Sequence, residues 1–126
     1  MTEFVIELVS RPGSLARLSA LLGEAGVNIE ALAGWHANGD GSIRVVVDDP
    51  DRARQVFEEA GLRFAERTVL TASLANRPGA LAVLSSQLAD AAIDIEAIYV
   101  LGGNSESLEV AICVDEAESA AEVLAG

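Results

Sequence analysis

The sequence predicts an α+β protein made of two copies of one β-α-β-β-α-β unit, each an antiparallel sheet with both helices on one face. Three observations carry this. The stretch RPGSLARLSALLGEAGVNIEAL at 11–32 recurs as RPGALAVLSSQLADAAIDIEAI at 77–98, at a constant offset of 66, without a gap and with 12 of 22 positions identical. The hydrophobic period then changes in the same order in both copies, from an extended run to helical spacing and back. Finally, 51 % of the residues are apolar and only five are aromatic, so the chain has enough for cores built of Ala, Val, Leu and Ile.

The elements follow in order. Residues 3–9, EFVIELV, have the β-branched and aromatic character of a strand. Pro12 sets a turn and costs no hydrogen bond in a first helical turn. Leu15, Leu18, Leu22 and Ala25 then fall at helical spacing, matched by Leu81, Leu84, Leu88 and Ala91. Gly26 terminates this helix, and Val27 to Ala37 returns to extended character up to Asn38-Gly39-Asp40-Gly41, a hairpin turn whose partner strand is Ser42 to Asp48. In the second copy the turn is Gly102-Gly103-Asn104-Ser105 and the partner strand Leu108 to Val114. Asp49-Pro50-Asp51 opens a second helix that runs to Ala60 and stops at Gly61. The run from Leu62 to Ala75 is long for one strand, so it divides near Arg67 into the last strand of the first unit and the first strand of the second.

The likeness continues more loosely beyond the helix: IRVVVDD at 43–49 recurs as LEVAICVD at 108–115, and RARQVFEEAG is echoed by SAAEVLAG. A unit of about 65 residues is small, so two of them are expected to share or stack their cores. The element order is the split βαβ, or ferredoxin-like, arrangement, in which right-handed crossovers put the first and third strands side by side at the centre. The units are residues 1–67 and 68–126. Gly126 aligns with Gly61, so the second unit is expected to lack its last strand and Thr68 to Ala75 to form an exposed sheet edge. That edge predicts either a homodimer or an arrangement in which the 62–75 segment serves both sheets.

Charge excludes several functions. Twenty acidic residues against eight basic ones, all Arg, give a net charge of -12. Such a surface repels nucleic-acid phosphates and anionic lipid, and no basic patch relieves it, because the last 49 residues contain no Arg at all. No apolar stretch reaches the ~18 residues of a membrane span, and Met1-Thr-Glu does not open a signal peptide. The single Cys113 lies in the strand-like run LEVAICV and reads as a buried thiol, which with the lack of any intrachain disulfide fits a reducing cytoplasm.

Catalysis finds no support either. Asp48-Asp49 and Glu58-Glu59 stand at strand and helix ends as caps and solvated charge, and no nucleophile-base pair, P-loop or dinucleotide fingerprint is present. His36, the only His, reads as solvent-facing and gives no metal site without Cys or His partners, while Trp35 reads as an interface or sheet-face residue. No cofactor is expected.

The strand, RPG-L turn, helix with an L-x-x-L-x-x-x-L stripe and G-V-N-I leading into a strand resemble the ACT domain, a family of small ferredoxin-like regulatory modules in amino-acid metabolism. RPGSLARLSALLGEAGVNI and RPGALAVLSSQLADAAIDI both match, so the resemblance spans nearly the whole chain as two tandem modules. It implies a non-catalytic regulatory protein that binds an amino acid or similar metabolite between paired modules, with a metabolic enzyme as a further partner. A structural interaction module that binds a partner protein without a small ligand is the alternative.

By the same resemblance the ligand is held by the loop before the first helix and the Asn that starts the second strand. Those positions are Ser10, Arg11, Pro12, Gly13, Ser14, Leu15, Asn28 and Ile29 in the first unit. In the second they are Asn76, Arg77, Pro78, Gly79, Ala80, Leu81, Asp94 and Ile95. Physically, a helix N-terminus offers free N–H groups to a carboxylate, and Asn offers both a donor and an acceptor. The copies are unequal, since Ser10 stands where some members have Asn, Asp94 replaces Asn28, and Leu8 and Leu74 occupy a position that is His in some members.

Overall fold

The computed structural model describes residues 1–9, 11–37 and 39–125, without the side chains of His36 and Ala37. Three readings therefore lie outside the described residues: Ser10 as a ligand contact, Asn38 in the hairpin turn, and the orientation of the His36 side chain. Ten elements follow one another: β1 Thr2–Val9, α1 Ser14–Glu24, β2 Ile29–Ala37, β3 Asp40–Val47, α2 Pro50–Glu59, β4 Phe64–Ala75, α3 Ala80–Asp90, β5 Ile95–Gly103, β6 Ser107–Val114 and α4 Ala117–Ala125. They form two compact units, one of residues 2–67 and one of residues 68–126 together with Met1.

In the first unit the strands lie in the order β2-β3-β1-β4. Phe4 faces Val45 and Ile6 faces Ile43 across β1 and β3, and Leu32 of β2 faces Val45 from the other side. At the β4 edge the Glu7 N–H donates to the Arg63 carbonyl at 3.2 Å. Alternate β1 residues Phe4 and Ile6 pack with Leu18 and Leu22 of α1, Val45 and Val47 of β3, and Val56 and Phe57 of α2. All three Phe of the chain meet here, with ring centroids 5.2 Å (Phe4–Phe57), 5.8 Å (Phe4–Phe64) and 5.6 Å (Phe57–Phe64) apart. The expectation of a wholly aliphatic interior thus fails in the first unit, because its few aromatic rings are concentrated rather than spread. Arg54 of α2 hydrogen-bonds to Asp51 and to Glu66 of β4, which raises its pKa and ties the helix to the strand.

The second unit has the order β4-β6-β5, with Leu70 facing Ile112 and Ala72 facing Val110, and Ile98 facing Ile112 from β5. Its core is aliphatic: Leu84, Leu88, Ile93, Val110, Ile112, Val114 and Ala120. No strand follows α4 among the described residues. The Met1 carbonyl instead accepts from the Val69 N–H at 2.9 Å.

The two units meet between Arg67 and Thr68, but the 62–75 run is not split into two strands there; it takes the other expected form, one segment serving both units. It is one 12-residue strand, Phe64–Ala75, whose first four residues belong to the first unit and whose last eight belong to the second. The length argument fails because one strand serves two units. LRFAERTVLTASLA also contains no Gly, Pro, Asn or Asp to break it.

At the end of α1, Gly26 has φ 75°, its N–H donates to the Gly23 carbonyl, and the Val27 N–H donates to the Leu22 carbonyl at 2.9 Å, a Schellman motif. The end of α2 repeats it with Gly61 at φ 68° and Leu62 bonded to Phe57. At the end of α3 the left-handed position is taken by Ala92, φ 58°, with the Ile93 N–H on the Leu88 carbonyl at 2.9 Å. Helix α2 starts as the sequence suggests, with the Asp49 carboxylate accepting from the Arg52 N–H at 3.1 Å. Pro12, in contrast, lies in the turn before α1 and not in its first turn. The second hairpin turn also shifts: Gly102 and Gly103 are in β5, and Asn104 turns the chain by accepting the Glu106 and Ser107 N–H groups on Oδ1. Gly103 is needed because a Cβ there would stand 2.5 Å from the Ser107 carbonyl oxygen.

The sheet face away from the helices carries a charged pair. Glu3 is fully buried on it and accepts from the Arg44 guanidinium at 2.8 Å, with Trp35 5.9 Å from the Arg44 Cζ. In the second unit Val69, Ala111 and Cys113 are buried on the corresponding face.

Candidate functional site

The RPG loops follow the first strand of each unit's repeat. In the first, Gly13 at φ 92°, ψ -10° is the cap of α1; the Ser14 N–H donates to the Arg11 carbonyl at 3.3 Å and the Arg17 N–H to the Gly13 carbonyl at 2.9 Å. In the second, Gly79 at φ 90°, ψ -12° caps α3, with Ala80 bonded to Arg77 and Val83 to Gly79. A Cβ at Gly13 or Gly79 would meet nothing within 4 Å. Glycine is therefore set by the left-handed backbone, not by crowding.

Each loop is tied down by one side chain, at a different place in each copy. The Ser14 hydroxyl donates to the Val9 carbonyl at 2.8 Å. Ala80 lacks that hydroxyl; instead the Asn76 amide donates to the Asn104 carbonyl at 2.8 Å and fastens the loop to the β5–β6 hairpin. Neither α1 nor α3 has a side-chain cap or an acidic residue in its first turn, in contrast to α2, which has both Asp49 and Asp51. Apart from the Ser14 and Ala80 N–H groups, which bond back to the Arg11 and Arg77 carbonyls, no side-chain cap or first-turn acid answers the N-terminal N–H groups and the positive end of the dipole at the two repeated loops.

The other half of the expected site stands apart. Asn28 and Asp94 follow the C-terminal ends of α1 and α3, so in each unit an 11-residue helix, about 16 Å long, separates them from the loop. Both have local work. The Asn28 N–H donates to Asp48 Oδ1 at 2.9 Å, and the Asp94 N–H donates to Asp115 Oδ1 at 3.0 Å. Ile29 and Ile95 pack against the two cores. Leu15 and Leu81 are half exposed, so the first residue of each predicted apolar stripe does not join the interior.

What opens beside each loop is a cavity. In the first unit a hollow of about 370 Å³, open to solvent, is lined by the end of β1 (Glu7, Leu8, Val9), the loop from Arg11 to Ser14, the α1 residues Arg17, Leu18 and Leu21, and Gly61, Leu62 and Arg63 after α2. In the second, about 470 Å³ is lined by Thr71 to Ala75, Arg77, Ala80, Val83, Leu84, Gln87 and Leu124. The two are related by the sequence repeat: Leu8 with Leu74, Arg11 with Arg77, Ser14 with Ala80, Arg17 with Val83 and Leu18 with Leu84. Arg17, Arg63, Val83 and Gln87 were not among the expected site residues. Positions 17 and 83 were accessible to reasoning, since they lie one turn beyond Gly13 and Gly79 on the same helical face. Arg63 was not, because only the fold brings it to β1. A third hollow of about 380 Å³ lies against Leu15, Leu32 and Trp35.

Among the described residues no group of three or more His, Cys, Asp or Glu is placed to hold a metal ion. Cys113 is a buried free thiol, and no helix is long and apolar enough to cross a membrane.

A family model described as the ACT domain pair matches residues 1–125. Among solved structures, protein BT0572 from Bacteroides thetaiotaomicron is 27 % identical with a TM-score of 0.88, over 98 % of this chain and 85 % of that one. The regulatory subunit of aspartate kinase from Thermus thermophilus, in its ligand-free form, shares 18 % identity and a TM-score of 0.73 over 98 % and 89 % of the two chains. The Thermus flavus regulatory subunit shares 19 % and 0.70 over 98 % and 89 %. At these identities the two subunits speak to the fold. No curated protein matches the chain.

Proposed function

The chain belongs to the ACT domain pair family, and on that premise we propose that it is a non-catalytic regulatory protein that binds a small carboxylate-bearing metabolite, an amino acid first of all, at the loops 11–15 and 77–81. One observation carries the reading. Two helices in a chain of net charge -12 each begin on a positive-φ Gly, without a side-chain cap or a first-turn acid, with an Arg two residues before the Gly and a cavity alongside. That arrangement suits an anion and leaves the rest of the ligand in the hollow.

The modules that act as ligand-binding partners are residues 1–67 and 68–126. Because Asn28 stands a helix length from Gly13, a ligand that touches both takes its Asn28 from a second copy, in a cytoplasmic homodimer that in turn controls a metabolic enzyme. A second reading, an assembly module without a small ligand, draws on the exposed Val9, Leu15, Leu32 and Trp35 around the third hollow.

Thermal shift and isothermal titration against the twenty amino acids separate the two. A ligand at a hundred times its Kd stabilises by about 2.7 kcal/mol, and Arg11→Ala and Arg77→Ala weaken it. A chain that responds to no amino acid, while remaining folded, refutes the ligand reading in favour of assembly.

A further inference from the structure

Resting on the reading above, we infer that the first unit's cavity selects a ligand with a second anionic group, an acidic amino acid in chemical class, whereas the second unit's cavity takes an uncharged side chain. Arg17 is the residue that separates them.

The argument begins with charge. Three of the chain's eight Arg residues, Arg11, Arg17 and Arg63, line one 370 Å³ cavity in a protein of net charge -12. Its one carboxylate, Glu7, meets Arg63 at 3.6 Å. Among the described residues neither Arg11 nor Arg17 has an acidic partner, although Arg44 and Arg54 do. Two positive charges are therefore left over around a hollow the size of a small metabolite. One matches the α-carboxylate that the loop receives, and the other matches an anionic group further along the ligand.

Their placement fits two separate groups. Arg11 belongs to the loop, whereas Arg17 is a full turn into α1, where its side chain leans back toward the helix N-terminus and over the cavity. The repeat supplies an internal comparison. At the positions 66 residues on, Arg77 keeps the loop cation, but Val83 replaces Arg17 and Ser73 replaces Glu7. Among the described residues Arg77 is the only charged one lining the second cavity, with Val83 exposed beside it. It offers one cation and an apolar wall.

The test is calorimetric titration of the full chain with aspartate, glutamate, asparagine and glutamine, for the wild type, Arg17→Val and Val83→Arg. Both positions are exposed, so the variants fold. The wild type is expected to bind an acidic amino acid about tenfold more tightly than its amide, with the preference shrinking as salt is raised. Arg17→Val erases the preference by weakening the acids far more than the amides, and Val83→Arg creates it at the second site. Equal binding of acids and amides by the wild type, or a preference untouched by Arg17→Val, overturns this inference and leaves the general ligand reading standing. Failure of all four, together with the other amino acids, overturns both.

Discussion

The end of α1 and the end of α3 are the same motif with Gly in one and Ala in the other at the left-handed position, which makes a reciprocal exchange the sharpest test of the backbone argument. Gly26 and Ala92 occupy the same place, at φ 75° and φ 58°, and both are followed by a 2.9 Å hydrogen bond from the next N–H back to the helix. A left-handed non-Gly residue costs about 1–2 kcal/mol from the clash of its Cβ with the following carbonyl. Replacing Ala by Gly relieves this but loosens the unfolded chain, at a cost of about 0.4–1 kcal/mol. Ala92→Gly should therefore stabilise by a net ~1 kcal/mol, and Gly26→Ala should destabilise by the same amount. Neither value is contaminated by packing: Ala92 is exposed, and a Cβ at Gly26 meets nothing within 4 Å. Urea denaturation followed by circular dichroism reads both, the midpoint rising for Ala92→Gly and falling for Gly26→Ala with m unchanged. In thermal scans the shift is about 4–8 °C for a unit of this size. If Ala92→Gly lowers stability, or both substitutions move it the same way, the Schellman reading of these ends is wrong.

Other perturbations probe the loop and the cores. Gly13→Ala strains the φ 92° cap without a steric clash, so it should cost about 1 kcal/mol and weaken ligand binding at the first loop, read by urea midpoint and calorimetry; an unaffected midpoint refutes the conformational argument. Glu3→Ala leaves the mostly buried Arg44 side chain without its 2.8 Å partner and should destabilise by about 3–5 kcal/mol, whereas a loss under 1 kcal/mol in denaturant titration contradicts a desolvated pair. Phe57→Ala removes the centre of the three-ring cluster and should cost about 3–5 kcal/mol, shown by a lowered denaturant midpoint; near-neutrality would mean the ring is not structural.

Much of the fold was legible because it is local. The change from alternating to helical periodicity located α1, α2 and the strands β1, β2 and β3 to within two residues, and Asp49 and Gly61 marked the start and stop of α2. The repeat then carried the same reading to the second unit. The places where reading failed are those where a local cue has two outcomes. Gly102-Gly103 reads as a turn, yet these residues end β5 because Gly103 allows a close backbone approach to Ser107. The long 62–75 run reads as two strands when each unit is considered alone, and is one strand because both units draw on it.

The candidate site divides along the same line. By itself the sequence determined that two copies of an RPG loop precede two helices, that both belong to the ACT pattern, and that the copies differ at Ser14 and Ala80 and at Asn28 and Asp94. These are properties of neighbours in the chain. Tertiary structure alone decided that Asn76 is spent on the β5–β6 hairpin, and that Arg63 comes from the end of α2 to meet Glu7 beside Arg11 and Arg17. The physical reason is that a cavity is walled by residues whose separation in sequence carries no periodicity. Only the closing of β1 against the segment after α2 brings those charges to one place.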